Sequence, residues 1–221
     1  MEFNGTFELE DTTVDEVWLA LSDPVMIENA LPGCQFLVPV EDEDVDFDAL
    51  REEHGDRDVE PTSDPEVIAN RAFEEGQTYA TVIGISIGPV NPTFETVVTI
   101  DHREQPEMKA SGEGSAGDSS FEMNAWMDLD GTDDGVEVDW RAEAEVFGRI
   151  ASMGQRVINP AANQVVKRFF SSVQSEIRDR EIADSEAIDA DEGEVDETAA
   201  ETEASNDGGI VDRILGRSRS N

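Results

Sequence analysis

The chain has 221 residues, and 53 Asp and Glu residues against 15 Lys and Arg residues give it a formal net charge of -38 at pH 7. This balance argues against a nucleic-acid partner, since the sequence forms no basic patch, and one cysteine, Cys34, excludes a disulfide framework within the chain. At molar salt the Debye length falls to about 3 Å and screens the self-repulsion of such a chain. The composition therefore predicts adaptation to concentrated salt.

The beginning of the chain, MEFNGTFELE, lacks the basic segment followed by an apolar one that marks a signal peptide. No run approaches the roughly 20 apolar residues of a membrane-spanning helix. We therefore expect a cytoplasmic protein.

The first elements follow clear local patterns. Apolar and polar residues alternate over residues 2–10, which predicts a strand. A helix follows from about Thr13, because Thr13 and Glu16 have the spacing of a capping box. Pro24 suits the first position of a second short helix.

A turn at 31–34 then leads into a second strand at 35–40. The segment 41–70 looks inserted: it is rich in acidic residues, contains two prolines and shows no sustained apolar period. We interpret it as a surface excursion with a turn or two of helix.

Strands resume at Thr78, where apolar residues alternate with small or polar ones. The pattern predicts five strands, at 78–87, 94–100, 107–115, 121–129 and 136–146. Consecutive strands joined by short turns form an antiparallel meander, and together with the helices they predict an α+β fold.

The last ordered element is predicted to be a long helix from about Arg149 to Ile177. Its apolar stripe is formed by Ile150, Met153, Val157, Ala161, Val165, Phe169 and Val173. Pro160 falls inside it and should kink the helix or split it.

Beyond Ile177 the composition changes. Residues 178–207 are mostly acidic, Ala, Ser and Thr, which predicts a disordered linker. Residues 208–221 contain apolar and basic residues again. On a helix one face would carry Ile210, Val211, Ile214 and Leu215 beside Arg213 and Arg217, which is typical of an interfacial anchor or of a segment that docks on a partner protein.

Several short motifs carry a resemblance to a known family. In chain order they are 17–24 (VWLALSDP), 31–34 (LPGC), 87–90 (IGPV) with Phe94, 110–114 (ASGEG) and the helix from 154 to 170. With this order of elements, residues 1–177 resemble the G-subunit family of carbon monoxide dehydrogenase, within the helix-grip superfamily of START and birch-pollen-allergen proteins. The acidic insertion at 41–70 departs from the family pattern.

The resemblance implies a curved antiparallel sheet wrapped around the long C-terminal helix. It also implies a non-catalytic accessory protein of a molybdenum hydroxylase of the carbon monoxide dehydrogenase type. Such a protein would bind an apolar ligand such as menaquinone or another lipid, and it would associate with the inner face of the cytoplasmic membrane through its C-terminal tip. The alternative is a ligand-free accessory protein that recruits or matures its enzyme by protein contact alone.

The candidate ligand pocket lies between the sheet and the long helix. Its lining is predicted from the inward parity of the strands and the helix stripe: Ile83, Ile85, Phe94, Met123, Met127, Trp140, Met153 and Phe169. Small residues that also face inward, such as Ala142, would leave part of this space unfilled. Methionine side chains are flexible and would adapt to the shape of a ligand. The same residues would equally form a packed core.

No catalytic or metal site is predicted. The two histidines, His54 and His102, have no second ligand at zinc spacing. Cys34 has no histidine near it in sequence, and we interpret it as a small turn residue packed under the helix.

Overall fold

The computed structural model describes residues 1–41, 44–55, 57, 59 and 62–191, with the backbone alone at 180–191. The strands are β1 Glu2–Glu10, β2 Cys34–Val40, β3 Thr78–Gly84, β4 Thr93–Glu104, β5 Glu107–Ala116, β6 Ser119–Gly131 and β7 Gly135–Phe147. The helices are α1 Val14–Ser22, α2 Pro24–Ala30, α3 Phe47–His54, α4 Pro65–Arg71, α5 Gly148–Ala151 and α6 Gln155–Asp191.

All seven strands belong to one antiparallel sheet with the order β1-β7-β6-β5-β4-β3-β2. The first two strands along the chain therefore form the two edges, and α1 and α2 connect one edge to the other. Helix α6 packs against the β1 edge, where the rings of Phe7 and Phe170 stack at 5.1 Å. The predicted α+β class and antiparallel meander are confirmed.

The starts of α1 and α2 follow from local hydrogen bonding. The Thr13 hydroxyl accepts from the Glu16 amide at 3.3 Å, and the Glu16 carboxylate accepts from the Thr13 amide at 2.7 Å. Asp23 caps α2 through the Val25 amide, with Pro24 at the first helical position. The predicted capping box and the role of Pro24 are confirmed, because both depend on neighbours along the chain.

The insertion is more ordered than the sequence predicted. Phe47 and Leu50 of α3 pack against a cluster on the outer face of the sheet, formed by Phe36, Val38, Ala80 and Val82. Ile68 of α4 is 2% exposed. The segment 41–70 is expected to be a surface excursion with a turn or two of helix, and α3 indeed has no fully buried residue. The sequence did not predict the packing of Phe47, Leu50 and Ile68 on the domain, because the acidic neighbours of these residues hide the apolar pattern.

Two arginines hold the insertion to the domain through buried carboxylates. Arg71 binds both oxygens of Asp23, whose side chain is fully buried. Arg57 binds Glu28, which also accepts from the Leu37 amide at 2.8 Å.

The C-terminal helices differ from the prediction in where they break. The chain leaves α5 at Ser152 and enters α6 after Gly154, whose φ of +74° favours glycine. Pro160 lies inside the continuous helix α6, so of the two predicted outcomes, a kink or a split, the split does not occur.

The buried positions of the two helices only partly match the predicted stripe. They are Ile150, Ile158, Phe170, Val173 and Ile177. Val157, Ala161, Val165 and Phe169 are half-buried, so the stripe lies about one residue further along α6 than predicted. Helix α6 passes the predicted end at Ile177 and continues to Asp191. The rest of the predicted linker and the tip at 208–221 lie outside the described residues.

Strand β3 is shorter than predicted. It ends at Gly84, whose amide donates to the Gly33 carbonyl, and Ile85 and Ile87 lie in the connection to β4. Within the described part of the chain, no helix is long and apolar enough to cross a membrane.

The outer face of the sheet carries acidic residues that are direct cross-strand partners. Glu113 pairs with Glu122, which pairs with Glu145. Like charges directly opposite each other destabilise a sheet. A second row contains Glu107, Asp128 and Asp139. Burial, and then repulsion from neighbouring carboxylates, raise the pKa of Asp128 above its ordinary value.

Candidate ligand-binding site

The inner face of the sheet, which packs on α6, holds the strand residues of the predicted pocket. Ile83 of β3 and Phe94 of β4 are direct cross-strand partners. Met127 of β6 and Trp140 of β7 are also partners. Both pairs follow from antiparallel registers that the sequence did not reveal.

Most of the eight predicted pocket residues lie in two separate core clusters. The first cluster, around Leu9, Val138 and Phe170, is contacted by Met127, Trp140 and Phe169. The second contains Ile83 and Phe94 and is contacted by Ile85 and Met153. Met123 is half-buried and belongs to neither. The structure therefore does not bring the eight residues into one lining.

The centre of the inner face, between the two clusters, carries small side chains. Ala110 of β5, Ala125 of β6 and Ala142 of β7 are cross-strand partners and form a row across three strands, here called the alanine row. All three are half-buried although they point inward. Beside them Gly112 pairs with Met123. The side chains at this centre are therefore small, and Ala110 also packs against a third cluster, which contains Tyr79 and Ile100.

Two buried polar atoms without partners among the described residues lie on the inner face of β4 and on α6. Thr96 is 5% exposed, and its hydroxyl has no hydrogen-bond partner among the described residues. Its cross-strand partner Thr81 instead contacts the Cys34 sulfur at 3.3 Å. The side-chain oxygen of Asn159 on α6 is buried and likewise unpartnered there. An unpartnered buried hydroxyl is costly, and a polar group of a ligand would satisfy it.

The hydroxyl of Thr96 is held in place by close packing on a glycine. A Cβ at Gly114 of β5 would lie 2.6 Å from the Thr96 oxygen and 2.5 Å from the Phe121 ring. The Phe121 ring in turn meets Phe94 edge to face at 5.3 Å. Only glycine therefore lets Thr96 and Phe121 approach the backbone at this point.

Two surface grooves lie elsewhere. One of about 750 Å³ runs between α2 and α6 and is lined mainly by polar side chains, among them Asn29, Gln164, Lys167 and Ser171. The other, of about 250 Å³, is lined by residues of β5, β6 and β7 that include Trp126 and two of the predicted pocket residues, Met127 and Trp140. The Arg141 guanidinium lies 4.4 Å from the Trp126 ring centroid. Neither coincides with the alanine row, and their polar or charged lining suits an apolar ligand less well.

The residues considered for catalysis are scattered. His102 lies in β4, with Nδ1 3.2 Å from a Glu75 oxygen, and His54 lies 6.2 Å from the Phe36 ring, centroid to centroid. Cys34 is the first residue of β2, and burial raises the pKa of its thiol. Among the described residues no group of three His, Cys, Asp or Glu side chains is arranged to hold a metal ion.

Comparison with known proteins agrees with this fold. Residues 71–178 match the family model for CoxG, the G subunit of carbon monoxide dehydrogenase, which confirms the resemblance over that part of the chain. No curated protein matches the chain.

Several solved structures have a similar fold over most of the chain. A conserved protein from Geobacillus kaustophilus is similar with a TM-score of 0.61 and 23% identity, over 81% of this chain and 96% of that one. Ara h 8.0201 gives a TM-score of 0.50 and 11% identity, over 81% and 98%. The Zhui aromatase/cyclase of a Streptomyces species gives 0.50 and 9%, over 81% and 94%. The helix-grip prediction is confirmed, and at these identities the likeness concerns the fold alone.

Proposed function

We propose that this chain, whose residues 71–178 match the CoxG family model, is a non-catalytic accessory protein of a molybdenum hydroxylase of the carbon monoxide dehydrogenase type. In this proposal it works in concentrated salt and carries an apolar ligand such as menaquinone between the inner face of the sheet and α6. Its tip at 208–221 tethers it to the membrane or to the enzyme.

The observation that carries the ligand proposal is the alanine row. Large side chains pack both ends of the inner face, whereas Ala110, Ala125 and Ala142 at its centre are half-buried. Inward-facing small residues between two packed clusters make room for an apolar ring or chain. Thr96 and Asn159 add buried polar atoms without partners among the described residues, which a ligand carbonyl or hydroxyl would meet.

The ligand-free alternative is favoured by a different observation. Seven of the eight predicted pocket residues contact or belong to clusters whose centres are buried, such as Ile83 and Phe94 at 8% and 4% exposure. If α6 also closes over the alanine row in solution, the domain is a packed scaffold. The protein would then recruit or mature its enzyme through surface contacts alone.

Native mass spectrometry at high salt, followed by organic extraction, tests the ligand proposal. We expect full-length protein to carry or take up one menaquinone or lipid molecule. A protein that is purified without ligand and does not bind added menaquinone would contradict the carrier role. It would support the alternative in which the protein only recruits or matures its enzyme.

The tether is tested separately, on the full chain. We expect Ile214→Asp with Leu215→Asp to weaken membrane partition without lowering the unfolding temperature of the domain. Burial of four aliphatic side chains stabilises membrane residence by at most roughly 6–12 kcal/mol before ordering costs. Unchanged partition would contradict the tether.

A further inference from the structure

Acidic residues are absent from one long stretch of this acidic chain. None occurs from Val146 to Ser175, the longest such stretch in a chain with a formal net charge of -38. Over this stretch the exposed residues of α6 are uncharged or basic: Gln155, Arg156, Pro160, Asn163, Gln164, Lys167, Arg168, Ser171 and Ser175. A second acidic molecule is therefore repelled less by this side of α6 than by the acidic rows of the outer face.

The exposed side of α6 borders the groove between α2 and α6. Across the groove from α6 lie Asn29, Ala30 and Pro32, which are uncharged. Among the described residues that line the groove, Glu176 at its C-terminal end is the one acidic residue. The groove has a volume of about 750 Å³. A groove beside a helix can accept a second helix, since packed helices lie about 8–10 Å apart between their axes.

Four side chains of α6 form a line along this side of the helix. Arg168, Ser172, Ser175 and Asp179 are spaced by four, three and four residues, which places them on one face. Ser172 is half-buried and the other three are exposed. We call these four residues the α6 seam. The seam has a cation at its beginning, two small side chains at its centre and an anion at its end.

The two charges of the seam are not matched within one molecule. Neither Arg168 nor Asp179 forms an ion pair among the described residues. They lie about 16 Å apart along the axis of the helix, so they cannot bind each other in the same chain. At the centre, the Ser175 hydroxyl donates to the Ser171 carbonyl at 3.0 Å and stays close to the helix backbone. The middle of the seam is therefore low, with a charge at either end.

We propose that two copies of this chain associate through the α6 seam, with their α6 helices antiparallel. A two-fold axis beside residues 173 and 174 places Arg168 of each copy beside the partner's Asp179, so the same ion pair forms twice. Ser172 then lies opposite the partner's Ser175, and these small side chains let the helices approach closely. The dimer depends neither on a ligand nor on the proposed function.

Charge complementarity selects a second copy as the occupant of this face. The seam is complementary to itself only when reversed, since a parallel pair would place Arg168 against Arg168. Repulsion between two chains of net charge -38 opposes association at low ionic strength. At molar salt the Debye length of about 3 Å removes the repulsion between distant carboxylates, whereas partly buried ion pairs are screened much less. We therefore expect the dimer to strengthen as the KCl concentration rises.

Charge reversal on the full chain tests the seam, with sedimentation equilibrium in molar KCl as the measurement. Arg168→Glu opposes a glutamate to the partner's Asp179, and Asp179→Arg opposes two arginines. We expect each single variant to raise the dimer dissociation constant about tenfold, because two ion pairs become two repulsions. The double variant restores both ion pairs with their signs exchanged, so its dissociation constant should return close to that of wild type.

Arg149→Glu is the matched control. Arg149 of α5 is also exposed and without an ion pair among the described residues, and its reversal changes the net charge as much as Arg168→Glu does. It should leave the dissociation constant unchanged, and far-UV circular dichroism confirms that every variant is folded.

Three outcomes would overturn the proposal. The first is a wild-type chain that remains monomeric up to about 0.1 mM in molar KCl. The second is a dimer that neither single variant weakens, since its contact then lies elsewhere, for example in the C-terminal tip. The third is a double variant that associates no better than the single variants, because the two charges then do not face each other across the dimer.

Discussion

Arg71 donates two hydrogen bonds, at 2.8 and 2.7 Å, to the carboxylate of Asp23, which is fully buried and lies 48 positions earlier in the chain. Asp23 also caps α2. The Asp23 side chain therefore both caps α2 and binds Arg71, which directly follows the acidic insertion.

Removing Arg71 should be costly. Arg71→Ala leaves the Asp23 carboxylate buried without its cation, and we expect a loss of about 3–5 kcal/mol in the free energy of unfolding. Arg51→Ala, which breaks the more exposed pair with Glu95, should cost less than about 1 kcal/mol. Urea unfolding at constant molar KCl measures both. Equal losses would show that burial of Asp23 does not decide the stability of its pair.

The acidic rows on the outer face predict salt-dependent stability. Glu122 lies between Glu113 and Glu145, so Glu122→Gln removes two like-charge contacts. We expect it to raise the melting temperature at about 0.1 M KCl, and the gain to vanish at about 1 M, where the Debye length is only about 3 Å. Glu52→Gln, on the exposed face of α3, is the control. A gain that is independent of salt would contradict the repulsion.

The raised pKa of Asp128 predicts how the stability of the folded protein changes with pH. Because burial and neighbouring carboxylates raise its pKa, its ionised form is disfavoured in the folded protein, which loses stability as pH rises through the pKa of the unfolded chain. Asp128→Asn should therefore stabilise the protein at about pH 7, and the gain should shrink toward about pH 4 as the wild-type carboxyl takes up its proton. Melting temperatures across this range measure it. A gain that grows on acidification would reverse the sign.

Filling the alanine row tests the ligand site. Ala142→Phe places a ring at the β7 end of this row, and we expect uptake of menaquinone to fall at least tenfold while the domain still folds. Asn124→Phe adds the same ring to β6 on the outer face, where Asn124 is exposed, and should leave uptake unchanged. Native mass spectrometry after incubation with menaquinone gives the occupancy. Equal occupancy of the two variants would place the ligand elsewhere.

Thr96→Val tests the buried hydroxyl. The substitution keeps the shape but removes a polar group without a partner among the described residues, so we expect the ligand-free protein to gain about 1 kcal/mol of stability. Menaquinone binding should weaken if the hydroxyl donates to a ligand carbonyl. Thr81→Val is the matched control, because its hydroxyl already contacts Cys34. A Thr96 variant that binds menaquinone as well as wild type would exclude this hydrogen bond.

Local features of the fold could be predicted from the sequence. The strand at 2–10, the capping box of Thr13 and Glu16 and the helix start at Pro24 all match the structure. Each depends on residues a few positions apart, and the physical preferences involved act within one turn or one strand. The inward parity of Phe94, Met127 and Trp140 could be predicted for the same reason.

Tertiary structure decided the rest, because it joins residues that are remote in the chain. The pairing of β5, β6 and β7 places three alanines in one row and three glutamates in another, and no local pattern contains a register between strands. Packing across the sheet likewise brings Ile87 of the β3–β4 connection into one cluster with Ile150 of α5. The composition alone determined an acidic protein; the folded sheet decided which of its carboxylates lie directly opposite one another on neighbouring strands.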